Sequence, residues 1–232
     1  LPVPCTKETL GLHQVYYYLN LVGSISSGEY KSEPLLRITG EEETWAEGLL
    51  NRSGCIGRPV IGINPGSTYG SAKRWPAERF ASLSDFLMRE YNARVIIFGG
   101  PGEKELGIKI AGLMKEAPLD LSGETSIREL MALIRRCDLF ITNDSGPMHI
   151  AAAFNVPIVA IFGPTDHKTT SPFGAGHIIL RKDVRCSPCL LRECPIDHEC
   201  MESITAEEVI DAAERQIKGK KDEREWEESL SS

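Results

Sequence analysis

Short apolar runs that do not alternate with polar residues recur between residues 59 and 180, and segments of helical periodicity separate most of them. Continuous apolar runs between helices are typical of βαβ units. The pattern therefore predicts an α/β fold, a Rossmann-like parallel sheet with helices on both faces. In such a sheet, ligands bind beyond the carboxyl ends of the strands. The predicted strands span residues 60–63, 94–98, 139–142, 156–162 and 177–180.

Capping and turn residues predict where the helices begin. Pro76 opens one helix at a position where its missing N–H does no harm, and another helix begins near Glu103. Ser or Thr three residues before Glu forms a capping box at residues 126–129 and again at residues 205–208. The second box predicts a C-terminal helix, and we expect the charged residues 218–232 after it to be solvated and frayed.

The periodicity divides the chain into three parts. Residues 1–58 are irregular, with helical stripes at 10–22 and 41–50 around a loop. The regular α/β pattern occupies residues 59–204, and residues 205–232 hold the C-terminal helix and the charged tail. We therefore expect the ligand-binding loops to lie in the middle part.

Composition and charge exclude several classes of protein. The 232 residues include 26 Lys and Arg against 33 Asp and Glu, and this net charge of −7 argues against non-specific nucleic-acid binding. No apolar run approaches the roughly 18 residues of a membrane helix, and the start lacks a secretory signal. The odd number of cysteines, seven, favours a reducing, cytoplasmic setting. The chain begins without Met, so we expect it to be trimmed or part of a longer protein.

Three strand-to-loop junctions, at residues 64–73, 99–103 and 143–149, share small and polar residues followed by a helix start. Such loops leave backbone N–H groups free, and the following helix adds a positive end, which together suit a diphosphate. Lys73 adds a point charge suited to neutralising a leaving diphosphate, and a solvated surface lysine beside a packed Trp75 is the alternative interpretation. Each junction alone is consistent with an ordinary turn, but three at one edge of a sheet favour a nucleotide site.

Motifs that are absent narrow the chemistry further. The loop at 64–73 does not match a P-loop, and the loop at 99–103 does not complete a dinucleotide fingerprint. Ser145 has no nucleophile elbow around it, and the lack of a D-x-D pair argues against a Mg²⁺-dependent transferase. His149, one turn into a helix, is equally consistent with a structural histidine.

Taken in order, the motifs resemble those of glycosyltransferase family 9, and most closely those of its lipopolysaccharide heptosyltransferase II members. The resemblance extends from about Leu12 to Ile217. It is carried by residues 64–67 with 73–76, 98–103, 121–125, 142–149 and 162–165.

The resemblance implies a GT-B enzyme, in which two Rossmann-like domains face a cleft and the C-terminal domain binds the nucleotide sugar. It implies transfer of L-glycero-D-manno-heptose from ADP-heptose to the heptosyl–Kdo–lipid A inner core, with Lys73 as the catalytic residue on the departing diphosphate. The implied donor contacts are Ser67 and Thr68 on the diphosphate, Asp144, Ser145, Gly146 and His149 on the diphosphate and neighbouring sugars, Glu103 on the ribose, and Thr125 and Met148 near the adenine.

The family also has an N-terminal domain with the acceptor site and an Asp that acts as general base, and nothing in this sequence matches it. The resemblance therefore implies that residues 1–58 are a connector and remnant of that domain, and that this chain is the donor-binding half. We expect it to bind ADP-heptose without a cofactor but not to transfer heptose alone. The implied partners are the donor, the lipid A–core acceptor at the inner membrane and the N-terminal domain, with the chain cytoplasmic or peripheral to that membrane.

Four cysteines fall close together in the sequence: Cys186, Cys189, Cys194 and Cys200, with His198 among them. Four thiolates at this density suit a structural Zn²⁺. The spacing is tighter than that of a two-knuckle zinc site. Reduced cysteines in a packed loop, or disulfides formed after purification, are therefore alternatives.

Other functions are consistent with the same loops. A family 9 enzyme that uses a different sugar has loops too similar to be told apart. A non-catalytic nucleotide-binding module would bind adenine nucleotides without discriminating the sugar. An epimerase of the same two-domain architecture would use UDP-sugars and need no acceptor.

Overall fold

The computed structural model of the protein describes residues 11–26, 28 and 30–230. A parallel sheet of six strands lies at its centre, in the order β3-β2-β1-β4-β5-β6. This confirms the predicted α/β fold. The strands are β1 (Val60–Asn64), β2 (Arg94–Ile97), β3 (Leu119–Asp120), β4 (Leu139–Asn143), β5 (Ile158–Phe162) and β6 (Ile178–Arg181).

The strand that the apolar pattern missed is β3, at the edge of the sheet. It has two residues, both only partly buried, and it pairs with Ile96 and Ile97 of β2. Two residues at an edge do not produce an apolar run, so nothing in the local pattern distinguishes this strand from a loop.

Helices flank the sheet and connect its strands. None of those in the described part of the chain combines the length and apolar character needed to span a membrane. Two of them, α7 and α8, are single turns whose sequences are too short to show a helical period. The helices are α1 (Gln14–Gly23), α2 (Gly40–Arg52), α3 (Ala77–Tyr91), α4 (Lys104–Leu113), α5 (Ile127–Arg135), α6 (Gly146–Ala153), α7 (His167–Thr170), α8 (Glu199–Glu202) and α9 (Ala206–Leu230).

Two predictions about the ends of the chain need correction. The helix expected from residue 10 begins at Gln14 and has no buried residue, and Leu10 itself lies outside the described residues. The tail expected to fray from residue 218 continues α9 to Leu230, so that prediction is wrong for the described part. Its Lys, Glu and Arg residues are good helix formers, which explains the continuation.

Alternate residues of each central strand enter two separate hydrophobic cores, one on each face of the sheet. Ile61 and Ile141 face one core together with buried residues of α3 and α9. Ile96 and Phe140 face the other core together with buried residues of α2, α5 and α6. The strands read as continuous apolar runs because both of their faces are covered.

The helix α2 packs on this second core, although it precedes the regular part of the sequence. Ala46 and Leu50 are buried there. The guanidinium of Arg128 on α5 donates to the Glu42 carboxylate over 2.6 Å. That contact, followed by the backbone N–H of Thr39, lowers the pKa of Glu42 to about 2. The predicted division of the chain at residues 58 and 59 stays a prediction.

We predict that Gly62→Ala destabilises the fold. Gly62 lies in the centre of β1, where a Cβ atom would come within 2.6 Å of the Phe140 ring and 2.9 Å of the Phe98 ring. Both rings are fully buried and have no room to move away. Overpacking of this kind lowers the free energy of unfolding by about 1–3 kcal/mol, which chemical denaturation measures.

Gly112→Ala is the matched control, because a Cβ atom at Gly112 in α4 would meet nothing within 4 Å. We expect that variant to unfold at the same denaturant concentration as the parent or a slightly higher one, since Ala favours helices over Gly by up to about 1 kcal/mol. A Gly62→Ala variant as stable as the parent would contradict the described packing of β1.

Candidate functional site

The loops after β1 and β4 meet where the order of the strands reverses. β1 and β4 are neighbours in the sheet. After β1 the chain continues to β2 on one side, and after β4 it continues to β5 on the other side. A crevice therefore opens at the carboxyl ends of these two strands. A cavity of about 580 Å³ occupies that position. It is lined by Asn64, Ser67, Thr68, Tyr69, Lys73, Gly99, Gly100, Glu103, Thr125, Ile127, Leu130, Asp144, Ser145, Gly146, Pro147, His149, Thr165, Thr170 and Leu190.

Every predicted donor-site residue lines this cavity except Met148. The side chain of Met148 is fully buried and belongs to the hydrophobic core that α6 shares with the sheet. It lies on the inward face of α6, where a side chain has no exposed surface to offer a ligand. The prediction that Met148 lies beside an adenine is therefore not supported by its position.

Lys73 and Asp144 form an ion pair at the centre of the cavity. The Nζ atom of Lys73 lies 2.6 Å from Oδ2 of Asp144, and the two side chains are only 12% and 7% exposed. The hydroxyl of Thr165, after β5, donates to the same oxygen over 2.7 Å. The ring of Tyr69 lies 4.7 Å from Nζ and stabilises the ammonium group from another side. Lys73 is thus oriented by Asp144 and Tyr69, and Thr165 in turn orients Asp144.

Asn143, the last residue of β4, fixes both ends of the loop that carries Lys73. Its side chain is completely buried, its Nδ2 donates to the carbonyl of Pro65 over 2.7 Å, and its Oδ1 accepts from the backbone N–H of Trp75 over 3.2 Å. The indole N–H of Trp75 in turn donates to the carbonyl of Ile204 over 2.8 Å. The loop between residues 65 and 75 is therefore tied to the sheet rather than free at the surface.

The N-terminus of α6 lies at the cavity, where Gly146 carries a backbone N–H and Pro147 carries none. Ser145 is the N-cap residue, but its hydroxyl makes no cap hydrogen bond. It lies instead 3.2 Å from Nδ2 of Asn64 and 3.0 Å from Oγ1 of Thr142. The first N–H groups of α6 thus receive no bond from the N-cap side chain, and the helix dipole adds a partial positive charge to the same spot. This is a favourable position for an anion.

Glu103 supplies a carboxylate at the opposite wall. Its Oε2 accepts from the backbone N–H of Gly100 over 2.8 Å, while its Oε1 is buried and has no hydrogen-bond partner among the described residues. A Cβ atom on Gly66 would lie 2.1 Å from this carboxylate, so only glycine permits the approach. Glu103 lines the cavity, and its carboxylate is the type of acceptor that suits a hydroxyl group of a ligand.

The wall next to Glu103 is apolar and belongs to the start of α5. Ile127 and Leu130 line it together with Thr125. Ile127 is 59% exposed, which is a large apolar surface for a side chain at a cavity wall. A flat aromatic ligand such as a nucleobase gains by covering surface of this kind.

His149 lies in the first turns of α6 and is exposed at the cavity wall. The surrounding protein removes enough water from its imidazole to lower its pKa below the usual value near 6.5, although Asp144 opposes this shift. The lowered pKa favours the neutral imidazole, so His149 adds no second cation to the cavity wall at physiological pH.

The structure does not support a zinc site at the four clustered cysteines. Among the described residues, no three His, Cys, Asp or Glu side chains lie close enough to hold a metal ion. Cys186 is exposed, whereas Cys200 is buried against the loop after β5. Burial, followed by the neighbouring thiols, raises the pKa of Cys200 to about 11, so it is protonated at neutral pH. Close spacing in the sequence did not reveal that α8 turns this fourth thiol toward the core.

Several residues of the cavity had no predicted role. Asn64 and Thr165 line the cavity, and Asn143 holds one of its loops without lining it. All three stand within motifs that carried the family resemblance, so a search for polar residues at strand ends would have found them. Tyr69 lies in the loop that contains Lys73. Leu190 gave no signal, because it comes from the cysteine-rich segment more than 100 residues away.

Taken together, the cavity combines a buried ammonium group and a helix N-terminus with a hydroxyl-accepting carboxylate and an apolar wall. These are the groups that a nucleoside diphosphate requires for its phosphates, ribose and base. The arrangement agrees with the predicted nucleotide site.

Comparison with known proteins is consistent with this geometry. The sequence profile of glycosyltransferase family 9 (heptosyltransferase) matches residues 5–199. The lipooligosaccharide heptosyltransferase 2 of Campylobacter jejuni is 40% identical over 168 residues, which make up 70% of this chain and 52% of that protein. The chain thus spans about half the length of this relative.

Solved structures show the same similarity in three dimensions. The Escherichia coli ADP-heptose lipopolysaccharide heptosyltransferase II matches with a TM-score of 0.68 at 30% identity, covering 81% of this chain and 54% of that one. A glycosyltransferase family 9 structure from Veillonella parvula matches with a TM-score of 0.78 at 28% identity, covering 94% and 62% respectively. The profile match over most of the chain, on a sheet whose switch point carries the family's loops, shows that this chain belongs to glycosyltransferase family 9.

Proposed function

We propose that this chain is the donor-binding part of a lipopolysaccharide heptosyltransferase, which transfers L-glycero-D-manno-heptose from ADP-heptose to the heptosyl–Kdo–lipid A inner core. The observation that carries the proposal is the Lys73–Asp144 ion pair beside the N-terminus of α6, where a diphosphate meets an ammonium group and backbone N–H groups. The sugar and the acceptor are inferred from relatives named as heptosyltransferases.

Each part of the donor is assigned to a part of the cavity. The ribose hydroxyls donate to the Glu103 carboxylate, and the adenine covers the apolar wall near Thr125. The diphosphate and the heptose lie between the loop after β1 and the start of α6. The residues assigned to them are Ser67, Thr68, Lys73, Asp144, Ser145, Gly146 and His149.

The proposed reaction is a direct displacement with inversion at the anomeric carbon. The acceptor oxygen forms a bond to that carbon while the bond to the diphosphate breaks, and the acceptor proton passes to a base in the N-terminal domain that the family contains. Lys73 and the helix N-terminus stabilise the negative charge that develops on departing ADP. In this assignment the ammonium group supplies the positive charge at the leaving group, and no cofactor takes part.

The proposal extends to the setting of the enzyme. The acceptor is a lipid, so we propose a cytoplasmic location, peripheral to the inner membrane. Residues 1–58 are proposed as connector and remnant of the N-terminal domain, residues 59–204 as the donor domain and residues 205–232 as the C-terminal helix and tail. Within this division, Ala46 and Leu50 of α2 are buried in the same hydrophobic core as the helices α5 and α6.

Lys73→Met is expected to weaken ADP binding to this chain by about 10- to 100-fold, because a charge-assisted hydrogen bond to phosphate contributes roughly 1.5–3 kcal/mol. Isothermal titration calorimetry measures the dissociation constant. Lys109→Met is the control, since Lys109 forms an ion pair with Glu78 at the surface and does not line the cavity. Unchanged ADP affinity in a folded Lys73→Met variant would reject the assignment of Lys73.

The identity of the donor is tested by comparing nucleotides on the unmodified chain. We expect ADP and ADP-heptose to bind and UDP to bind far more weakly, because the apolar wall fits a purine. ADP-glucose, which keeps the nucleotide and changes the sugar, is expected to bind less tightly than ADP-heptose. Equal affinity for the two ADP-sugars would favour a nucleotide-binding module, and a preference for UDP would favour an epimerase.

Transfer by the isolated chain is expected to be undetectable, because the proposed base and acceptor site belong to the other domain. The measurement is release of ADP from ADP-heptose in the presence of a heptosyl–Kdo–lipid A acceptor. A full-length heptosyltransferase under the same conditions is the positive control. Turnover by the 232-residue chain alone would contradict the assignment of this chain as a donor-binding half.

A further inference from the structure

The segment 187–198, which we call the strap, packs directly on the loop that carries Lys73. The carbonyl of Arg192 accepts from the backbone N–H of Ala72 over 3.0 Å. The hydroxyl of Tyr69 donates to the carbonyl of Leu190 over 2.8 Å. The Nε2 atom of His198 lies 2.6 Å from the carbonyl of Ala72. The strap therefore holds the residue immediately before Lys73 through both its N–H and its carbonyl group.

The contact between strap and loop is close enough to exclude a side chain at Gly70. A Cβ atom there would lie 2.1 Å from the carbonyl oxygen of Arg192 and 2.8 Å from its Cα. Backbone therefore packs against backbone, and the position of the loop follows that of the strap. The guanidinium carbon of Arg192 lies 5.3 Å from the Tyr69 ring, which also contacts the Lys73 ammonium.

The other side of the strap is anchored to the loop after β5. The hydroxyl of Ser187 donates to the carbonyl of Gly163 over 2.6 Å, and the backbone N–H of Leu190 donates to the carbonyl of Pro164 over 2.8 Å. The next residue, Thr165, donates to the Asp144 carboxylate. The strap thus links the loop that carries Lys73 to the loop that orients its partner Asp144.

We infer that the strap sets the distance between Lys73 and a bound diphosphate, and that His198 is the positioning residue of this contact. His198 is half-buried, and a carbonyl oxygen only accepts, so Nε2 carries the hydrogen and donates to Ala72. Replacing His198 removes one of the two hydrogen bonds that hold the backbone of Ala72, the residue next to Lys73. The replacement does not change a side chain that contacts the proposed ligand. The inference rests on the proposed binding of a nucleoside diphosphate at this cavity.

The test is His198→Ala in the 232-residue chain, titrated with ADP by calorimetry and with adenosine by ligand-observed NMR. Loss of one hydrogen bond that positions Lys73 is expected to weaken ADP binding by about 3- to 10-fold. Adenosine has no phosphate, so its affinity is expected to stay the same. The midpoint of thermal unfolding is expected to fall by no more than about 5 °C, since the variant loses one part-buried hydrogen bond.

Two further variants separate positioning from a general structural effect. His198→Gln places an amide Nε2–H near the position of the imidazole Nε2–H and is expected to restore most of the ADP affinity. The backbone at position 198 has a φ of 59°, in the left-handed region. Ala and Gln both carry a Cβ atom there, so backbone strain is matched between the two variants. His177→Ala removes a half-buried histidine before β6, at the amino ends of the strands, and is expected to change neither affinity.

These measurements distinguish a failure of the positioning role from a failure of the proposed function. A parent chain that does not bind ADP overturns the proposed function and this inference with it. A parent that binds ADP, together with a His198→Ala variant of equal ADP affinity, overturns the positioning role alone. A parallel loss of ADP and adenosine affinity, or a loss that His198→Gln does not restore, also overturns it. A loss confined to ADP and restored by Gln supports it.

Discussion

An ammonium group and a carboxylate, both largely removed from water, lie 2.6 Å apart at the point where the sheet reverses its strand order. Burying either charge alone would be strongly unfavourable, and removing one partner would leave the other uncompensated. The pair persists because Thr165 donates to the carboxylate and the Tyr69 ring lies beside the ammonium. The cavity is therefore organised before any ligand arrives.

The position of this ion pair is set by groups that do not face the ligand. Asn143 ties both ends of the loop after β1 to the last residue of β4, and the strap holds the same loop from outside. Most of these contacts involve backbone carbonyl and N–H groups, which have no rotamers to reorganise. Lys73 is flexible by nature, and its functional geometry depends on this rigid support.

The sheet explains why the site lies where it does. β1 and β4 are neighbours and send their chains in opposite directions, so the loops after them enclose a crevice that the other strand ends do not share. Both faces of the sheet are filled by helices, so the crevice at the carboxyl ends is the place where loops are free to vary.

The sequence by itself determined the strands, helix starts and loops that leave a pattern in a few neighbouring residues. Apolar runs predict five of the six strands, capping boxes predict the starts of α5 and α9, and small polar residues after strands mark the loops that form the cavity. Only the tertiary structure decided which distant residues meet. It placed Met148 in one hydrophobic core, buried Cys200 in the other, and brought His198 to Ala72 across 126 residues of chain. Spacing along a chain encodes periodicity and turns, whereas these outcomes depend on which face of an element the packed core covers.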